Sequence, residues 1–215
     1  RRSKDIRFAF DRVFNEDATQ EQVFAGTTKH LITSVLNGYN TTVFAYGATG
    51  CGKTHTISGT PDDPGIIFLT MRELFERIQA TEEEMSTDLS ISYLEVYNES
   101  ICDLLLEDGG RGRSLALRED QNGVVVAGLS EHHPKTVREV MQLLLLGNKN
   151  RAMSPTCANA VSSRSHAVLQ VNVRRRPRTA SISSNVTVAT MSIIDLAGSE
   201  RASVTKNTGG RLLEG

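Results

Sequence analysis

The sequence predicts an α/β fold, a central sheet with helices on both faces, and three observations carry it. Short β-branched and aromatic runs alternate with segments of helical periodicity. A glycine-rich turn, Gly47 to Thr54, stands between a run that reads as a strand and one that reads as a helix start. Near the end of the chain, two alternating runs, 167–174 and 186–195, are joined by a basic segment without helical pattern. Those two runs should pair antiparallel, which makes a mainly parallel sheet a mixed one.

Each element has its own reason. Phe8 to Phe14 reads as a short strand. Thr19 and Gln22 have capping-box spacing. Phe24, Leu31 and Val35 then recur at helical intervals up to Gly38. Thr41 to Tyr46 is short and apolar enough for a buried strand. A helix should start near Gly52 and Lys53 and be interrupted by the loop Gly59 to Gly65. Met71, Leu74, Phe75 and Ile78 resume the helical period. Leu89, Ile91 and Tyr93 alternate with Ser90 and Ser92 as in a strand. Thr136 and Glu139 repeat the capping box, with Gly147 as the expected stop. Ala167, Leu169, Val171 and Val173 alternate, and Val186 to Asp195 is mixed on both faces, so it should be central. Arg174 to Arg178 reads as a solvated hairpin turn.

A chain of 215 residues, 39% hydrophobic and 23% charged, fits one globular domain. It has no apolar run near the roughly 20 residues that span a bilayer and no signal peptide, so no membrane partner is expected. It starts without Met, as a piece of something longer would. Net charge of -1 gives no reason to expect nucleic acid. Cys51, Cys102 and Cys157 lack metal-ligand spacing and are odd in number, which suits reduced thiols in the cytosol or nucleus.

Three segments carry chemistry. Gly47-Ala48-Thr49-Gly50-Cys51-Gly52-Lys53-Thr54 fits the P-loop pattern in the right strand-to-helix setting. There backbone N–H groups and a helix N-terminus face phosphate oxygens, Lys53 reaches the β- and γ-phosphates, and Thr54 offers a hydroxyl to Mg²⁺. Asp195-Leu196-Ala197-Gly198-Ser199-Glu200 ends a strand: the carboxylate can hold Mg²⁺ through water, and Gly198 lets a backbone N–H approach the γ-phosphate. Asn159 to His166 precedes another strand, and its hydroxyls could complete the Mg²⁺ shell and hold an attacking water. Arg164 and Glu200 are opposite charges in two candidate switch segments.

Together these strings resemble a kinesin motor domain: Phe44 to Thr56, Asn159 with Ser162-Ser163-Arg164-Ser165-His166, and Asp195 to Glu200. Leu94 to Glu99 and Gly147 to Arg151 extend the resemblance over nearly the whole chain. Gly47 to Gly50, Pro64 to Met71 and Val186 to Met191 look most like the class numbered eight, in fungal wording. That class implies plus-end-directed motors that also shorten microtubules. The resemblance implies ATP and Mg²⁺ as cofactors and a P-loop ATPase fold. It implies Ser163 on Mg²⁺ beside Thr54 and Asp195, and Ser162 and Asn159 ordering water and γ-phosphate. Gly198 becomes the γ-phosphate sensor, and Arg164 and Glu200 a closing ion pair with Glu200 as proton acceptor through a water relay. His55 would pack on the adenine. Microtubules would be met by the loop Leu129 to Arg138, with His132, His133 and Lys135, and by the segment Ser203 to Arg211, with Lys206 and Arg211. It also implies a homodimer when full-length, and residence on the cytoskeleton, possibly at the spindle. The family's first strand, relay helix, later helices and neck linker have no counterpart here, so this reads as one incomplete motor domain, 1–215.

Two rivals fare worse. A GTP switch protein should carry N-K-x-D, and Asn148-Lys149-Asn150-Arg151 fails at the acidic position. The P-loop and Asp195 also lie about 140 residues apart, too far for one βαβ-sized unit. A tubulin-binding module without hydrolysis would be favoured by loss of Lys53, Thr54, Arg164, Asp195 or Glu200, and all are present.

Overall fold

A computed structural model describes residues 7–107, 113–120, 123–152, 164–179 and 186–200. The first helices are α1 (Gln20–Thr27) and α2 (Lys29–Leu36), where one helix was expected. The capping box is present: Gln22 N–H donates to Thr19 Oγ1 and Thr19 N–H to Gln22 Oε1. The break falls at two threonines. Thr27 Oγ1 donates to Val23 O at 2.6 Å and lies 3.2 Å from the hydroxyl of the fully buried Thr28. Hydroxyls bonded to the preceding turn and to each other compete with helix continuation. Upstream, residues 7–14 form no strand. Phe8 and Phe10 are exposed and stack on each other instead.

β1 (Thr41–Ala45) leads through the glycine-rich loop to the five-residue α3 (Lys53–Ile57). The interruption after it is closed as a small hairpin, with Gly59 bridging Pro64 and Thr60 N–H bonding Asp63 O. α4 (Ile66–Ala80) follows, then β2 (Met85–Tyr97) and β3 (Ser100–Asp103), joined by a tight turn with positive φ at Asn98 and Glu99. A separate two-stranded ribbon, β4 (Ala116–Asp120) with β5 (Gly123–Ala127), precedes α5 (Val137–Ala152). β6 (His166–Pro177) and β7 (Thr187–Asp195) complete the main sheet, in the order β1-β7-β6-β2-β3.

The expected hairpin of β6 and β7 is antiparallel, and β7 is internal as its apolar character required. The sheet is mixed, but among the described residues only β1–β7 is a parallel pair. Helices on both faces are not found among those residues either. Register partners share a face, so Leu89, Ile91 and Tyr93 line up with Val173, Val171 and Leu169, and those with Ala189, Met191 and Ile193. These side chains form one cluster with Ile32 and Val35 of α2, Ile57 of α3, Leu69, Met71 and Leu74 of α4, and Val140 and Leu144 of α5. On the other face, Phe44 is 61% and Val188 60% exposed. That makes β1 an edge strand open on one side rather than the buried strand expected.

Two further expectations change. Gly147 does not stop α5, which continues to Ala152. It lets the helix approach β2, because a Cβ there would stand 2.7 Å from Cε1 of Tyr93. Arg174 to Arg176 are not in a turn but in β6, and Arg175 is buried, donating to Leu36 O, Thr81 Oγ1 and Thr87 Oγ1. Burial pulls its guanidinium below the usual arginine value.

Gly147→Ala should therefore destabilise the protein although alanine is the better helix former. Overpacking of about 1–3 kcal/mol opposes a propensity gain of about 1 kcal/mol. Urea denaturation reads the sign, and a stabilised variant would contradict the close contact with Tyr93.

Candidate functional site

The site forms where β1 and β7 end. Ala45 and Asp195 are register partners in the parallel pair, so the glycine-rich loop and the segment after Asp195 leave the sheet side by side. Inside the loop, Gly50 and Gly52 have φ of 80° and 93°. A Cβ at either would meet nothing within 4 Å, so it is the left-handed backbone, not crowding, that calls for glycine. Gly52 precedes α3 directly, and Lys53 and Thr54 are its first residues.

Lys53 is folded back on its own loop, with Nζ donating to Gly47 O at 2.9 Å and Ala48 O at 3.0 Å. Cys51 is an exposed free thiol whose Sγ faces Gly47. Thr54 Oγ1 donates to Asp195 Oδ2 at 2.7 Å. Ser199 N–H donates to Gly47 O at 3.0 Å, tying the segment after β7 to the loop. Glu200 lies over the loop: Oε2 accepts from Thr49 N–H at 2.9 Å, and Oε1 accepts the Thr49 hydroxyl. Those hydrogen bonds hold the exposed Glu200 carboxyl below the usual carboxylate range. A side chain at Gly198 would collide with both Thr49 and Glu200. Ala197 N–H donates to His166 Nδ1 at 3.2 Å, joining the segment to the start of β6.

His55 projects from α3 and is held on two sides. Gln20 Nε2 donates to His55 O at 2.8 Å and lies 3.2 Å from Nδ1, and His55 Nε2 is 3.2 Å from Asp63. Arg164 sits half-buried in the turn before Ser165 and β6. Asn159, Ser162 and Ser163 lie outside the described residues, as do Lys206 and Arg211. Lys135 is exposed at the entrance to α5, with its backbone N–H on Glu139. In the same loop His132 pairs its backbone with Ile91, and His133 lies 3.3 Å from Asp88.

Beneath the loop the structure adds residues that the motif reading passed over. Arg151, in the last turn of α5, donates to Asp195 Oδ2 at 2.9 Å and to Ser165 O at 3.1 Å, and lies 3.7 Å from Glu95. Two signals were available. Arg151 follows Val140, Leu144 and Gly147 on the buried face of α5, and Glu95 is the next residue on the face of β2 that carries Leu89, Ile91 and Tyr93.

Whether these groups suit Mg²⁺ can be judged from the oxygens present. A hydroxyl and a carboxylate are hard donors, and Mg²⁺ uses one or two carboxylates with substrate phosphates rather than a full protein cage. Asp195 Oδ1 is buried without a hydrogen-bond partner among the described residues. Thr54 and Asp195 therefore fit the ion.

The sequence signature of the kinesin motor domain matches residues 1–215. This chain belongs to the kinesin motor domain family. It is 56% identical to Kinesin-like protein 6 of Schizosaccharomyces pombe, over 100% of the chain and 29% of that protein. It is equally 56% identical to Kinesin-like protein KIF18B of Gallus gallus, over 100% of the chain and 26% of the relative. Kinesin-like protein KIP3 of Saccharomyces cerevisiae stands at 55%, over 100% and 27%. These relatives are members of class eight, as the residues suggested, and the fungal and avian ones stand level. A solved fast kinesin superposes with a TM-score of 0.87 at 35% identity, over 96% of this chain and 58% of that one. The chain thus spans about a quarter of the length of the curated relatives. Among the described residues, no helix is long and apolar enough to cross a membrane.

Asp195→Ala should destabilise the domain by about 1.5–3 kcal/mol, because Arg151 loses a charge-assisted hydrogen bond but keeps Glu95 beside it. Asp63→Ala, which removes only the exposed partner of His55, should cost no more than about 1 kcal/mol. Guanidinium denaturation of both variants tests the contrast.

Proposed function

We propose that this chain is the ATP-hydrolysing core of a microtubule motor. The observation that carries the reading is the meeting of P-loop and β7 end, with Thr54 hydrogen-bonded to Asp195 and Glu200 seated on Thr49. Family membership supplies the nucleotide and the track. ATP binding would draw Lys53 from the Gly47 and Ala48 carbonyls to the β- and γ-phosphates, and backbone N–H groups of Gly47 to Thr54 would take the remaining oxygens. Mg²⁺ held by Thr54, Asp195 and Ser163 would neutralise charge on the phosphates. Gly198 N–H would bond the γ-phosphate. Glu200 would leave Thr49, pair with Arg164 and accept the proton of the attacking water through a relay, with Ser162 and Asn159 ordering that water. His55, braced by Gln20, would flank the base.

Release of the γ-phosphate would undo these contacts and so move the switch segments. Lys135, Lys206 and Arg211 would meet acidic tubulin. Plus-end movement, microtubule shortening, homodimerisation and a place on the cytoskeleton or spindle follow from the class and belong to the same proposal for the full-length protein. The rival reading, tubulin binding without productive hydrolysis, is opposed by the complete set Lys53, Thr54, Arg164, Asp195 and Glu200.

The decisive measurement is the ATPase rate of the full-length protein with and without microtubules, where strong stimulation is expected. Turnover that microtubules leave unchanged would favour the rival. In the same assay Glu200→Ala should lower turnover by about 10²-fold or more while fluorescent ATP still binds. Lys53→Ala should weaken that binding itself.

A further inference from the structure

Gln20 is a polar residue placed out of reach of water. It is 6% exposed, at the first position of α1, beside the capping box but outside it, since that box is made by Thr19 and Gln22. A buried carboxamide needs hydrogen-bond partners, and this one finds them in α3. That helix ends early. Ser58 and Gly59 N–H both turn to Thr54 O, so His55 O lacks the donor that a longer helix would supply. Gln20 Nε2 takes this carbonyl at 2.8 Å.

The same bond decides the chemistry of the ring. The atom that faces a carbonyl oxygen must be the amide nitrogen, which fixes the orientation of the Gln20 amide. That nitrogen also lies 3.2 Å from His55 Nδ1. Facing an N–H, Nδ1 is the acceptor, and the ring proton belongs on Nε2. Nε2 in turn lies 3.2 Å from Asp63 Oδ2, in the small hairpin after α3. One imidazole is therefore held at both nitrogens, by a buried amide on one side and by an exposed carboxylate on the other. The His55 side chain is still 57% exposed, and with both nitrogens engaged it offers outward its ring face and carbon edge.

We propose that Gln20 is a positioning residue for the nucleotide base. It fixes His55 in the Nε2–H tautomer and in one ring plane, so that a flat face waits for the base. Stacking depends on how two ring planes are set against each other, and a ring fixed beforehand loses no freedom when the base arrives. Gln20 itself does not touch nucleotide. The proposal rests on the reading above, in which His55 flanks the base.

The test uses the full-length protein with Mg²⁺. A ribose-labelled fluorescent ADP analogue is displaced by ATP, or by inorganic tripolyphosphate, which carries phosphates without a base. In the wild type ATP should bind more tightly than tripolyphosphate, and His55→Ala should weaken ATP alone. If either fails, the reading of His55 falls, before any Gln20 variant is compared. Gln20→Met keeps the length and removes both donors. It should weaken ATP about fivefold, the weight of one ordinary hydrogen bond, and leave tripolyphosphate unchanged. In the double variant Q20M/H55A the methionine should add nothing to the loss from H55A. ATP binding at the wild-type value in Q20M overturns the proposal. So does an equal loss for ATP and tripolyphosphate, or an undiminished further loss on top of H55A, since either makes Gln20 a cap on α3 and nothing more. Thermal melting checks folding, and Gln20→Leu takes the place of the methionine variant if that one does not fold. Failure of both to fold also overturns the proposal, leaving Gln20 a structural residue.

Discussion

The parallel pairing of β1 with β7 is the constraint on which the site depends. Parallel strands cannot be joined by a tight turn, so the chain runs through α3, α4, β2, β3, β4, β5, α5 and β6 before β7 comes to lie beside β1. What this long excursion achieves is a register. Ala45 opposite Asp195 brings two loops out of the sheet at one level, at the carboxyl ends of adjacent strands, where open α/β sheets bind ligands. A slip of one residue would turn Asp195 to the other face and separate it from Thr54 and Arg151 together. The apolar pattern of β7, with Ala189, Met191 and Ile193 in the core, guards against that slip. Packing and the meeting of Asp195 with Thr54 and Arg151 are thus specified by the same alternation.

The interior then supports the rim. Asp195 is the last residue of β7 on the core face, where apolar side chains would otherwise continue. There Arg151 and Thr54 both donate to its Oδ2. Arg151 in turn reaches Asp195 only because α5 lies close on β2, and Gly147 makes that approach possible against the ring of Tyr93. Tyr93 closes the contact by donating from its hydroxyl to Asn148 Oδ1 at 3.0 Å. Burial pushes its phenol up to about 12, so it stays a neutral donor at physiological pH. A glycine that reads as a helix stop is thus a spacing element for a carboxylate some distance away.

What could be read in the sequence followed period and local chemistry. The P-loop, the capping box of α1 and the alternating strands β6 and β7 are all determined by neighbours in the chain, and they appear as expected. Expectations failed where tertiary contacts decide. Phe8 to Phe14 has strand composition but no strand beside it among the described residues. Thr41 to Tyr46 reads as buried, yet Phe44 and Tyr46 face outward. Arg175 reads as solvated and is instead satisfied by three oxygens from α2, the turn after α4, and β2. Motif matching included Glu95 and Arg151 in strings it matched, Leu94 to Glu99 and Gly147 to Arg151, but gave them no role, because their pairing with Asp195 is made only by the folding of α5 and β2.

The contact between Glu200 and Thr49 bears on how such a site changes state. Thr49 N–H is one of the loop donors that a phosphate would use, and here a carboxylate occupies it. Lys53 is likewise turned to loop carbonyls. Both groups therefore have protein partners that they must exchange for ligand ones, and exchange costs less than breaking, since no donor passes through an unpaired buried state. Thr49 is exposed and Glu200 only half-buried, so this long-range latch is more open to solvent than the buried Arg151 cluster below it. The two layers differ in burial: Glu200 and Lys53 hold partners at the rim, whereas Asp195, Arg151 and Ser165 hold theirs in the interior.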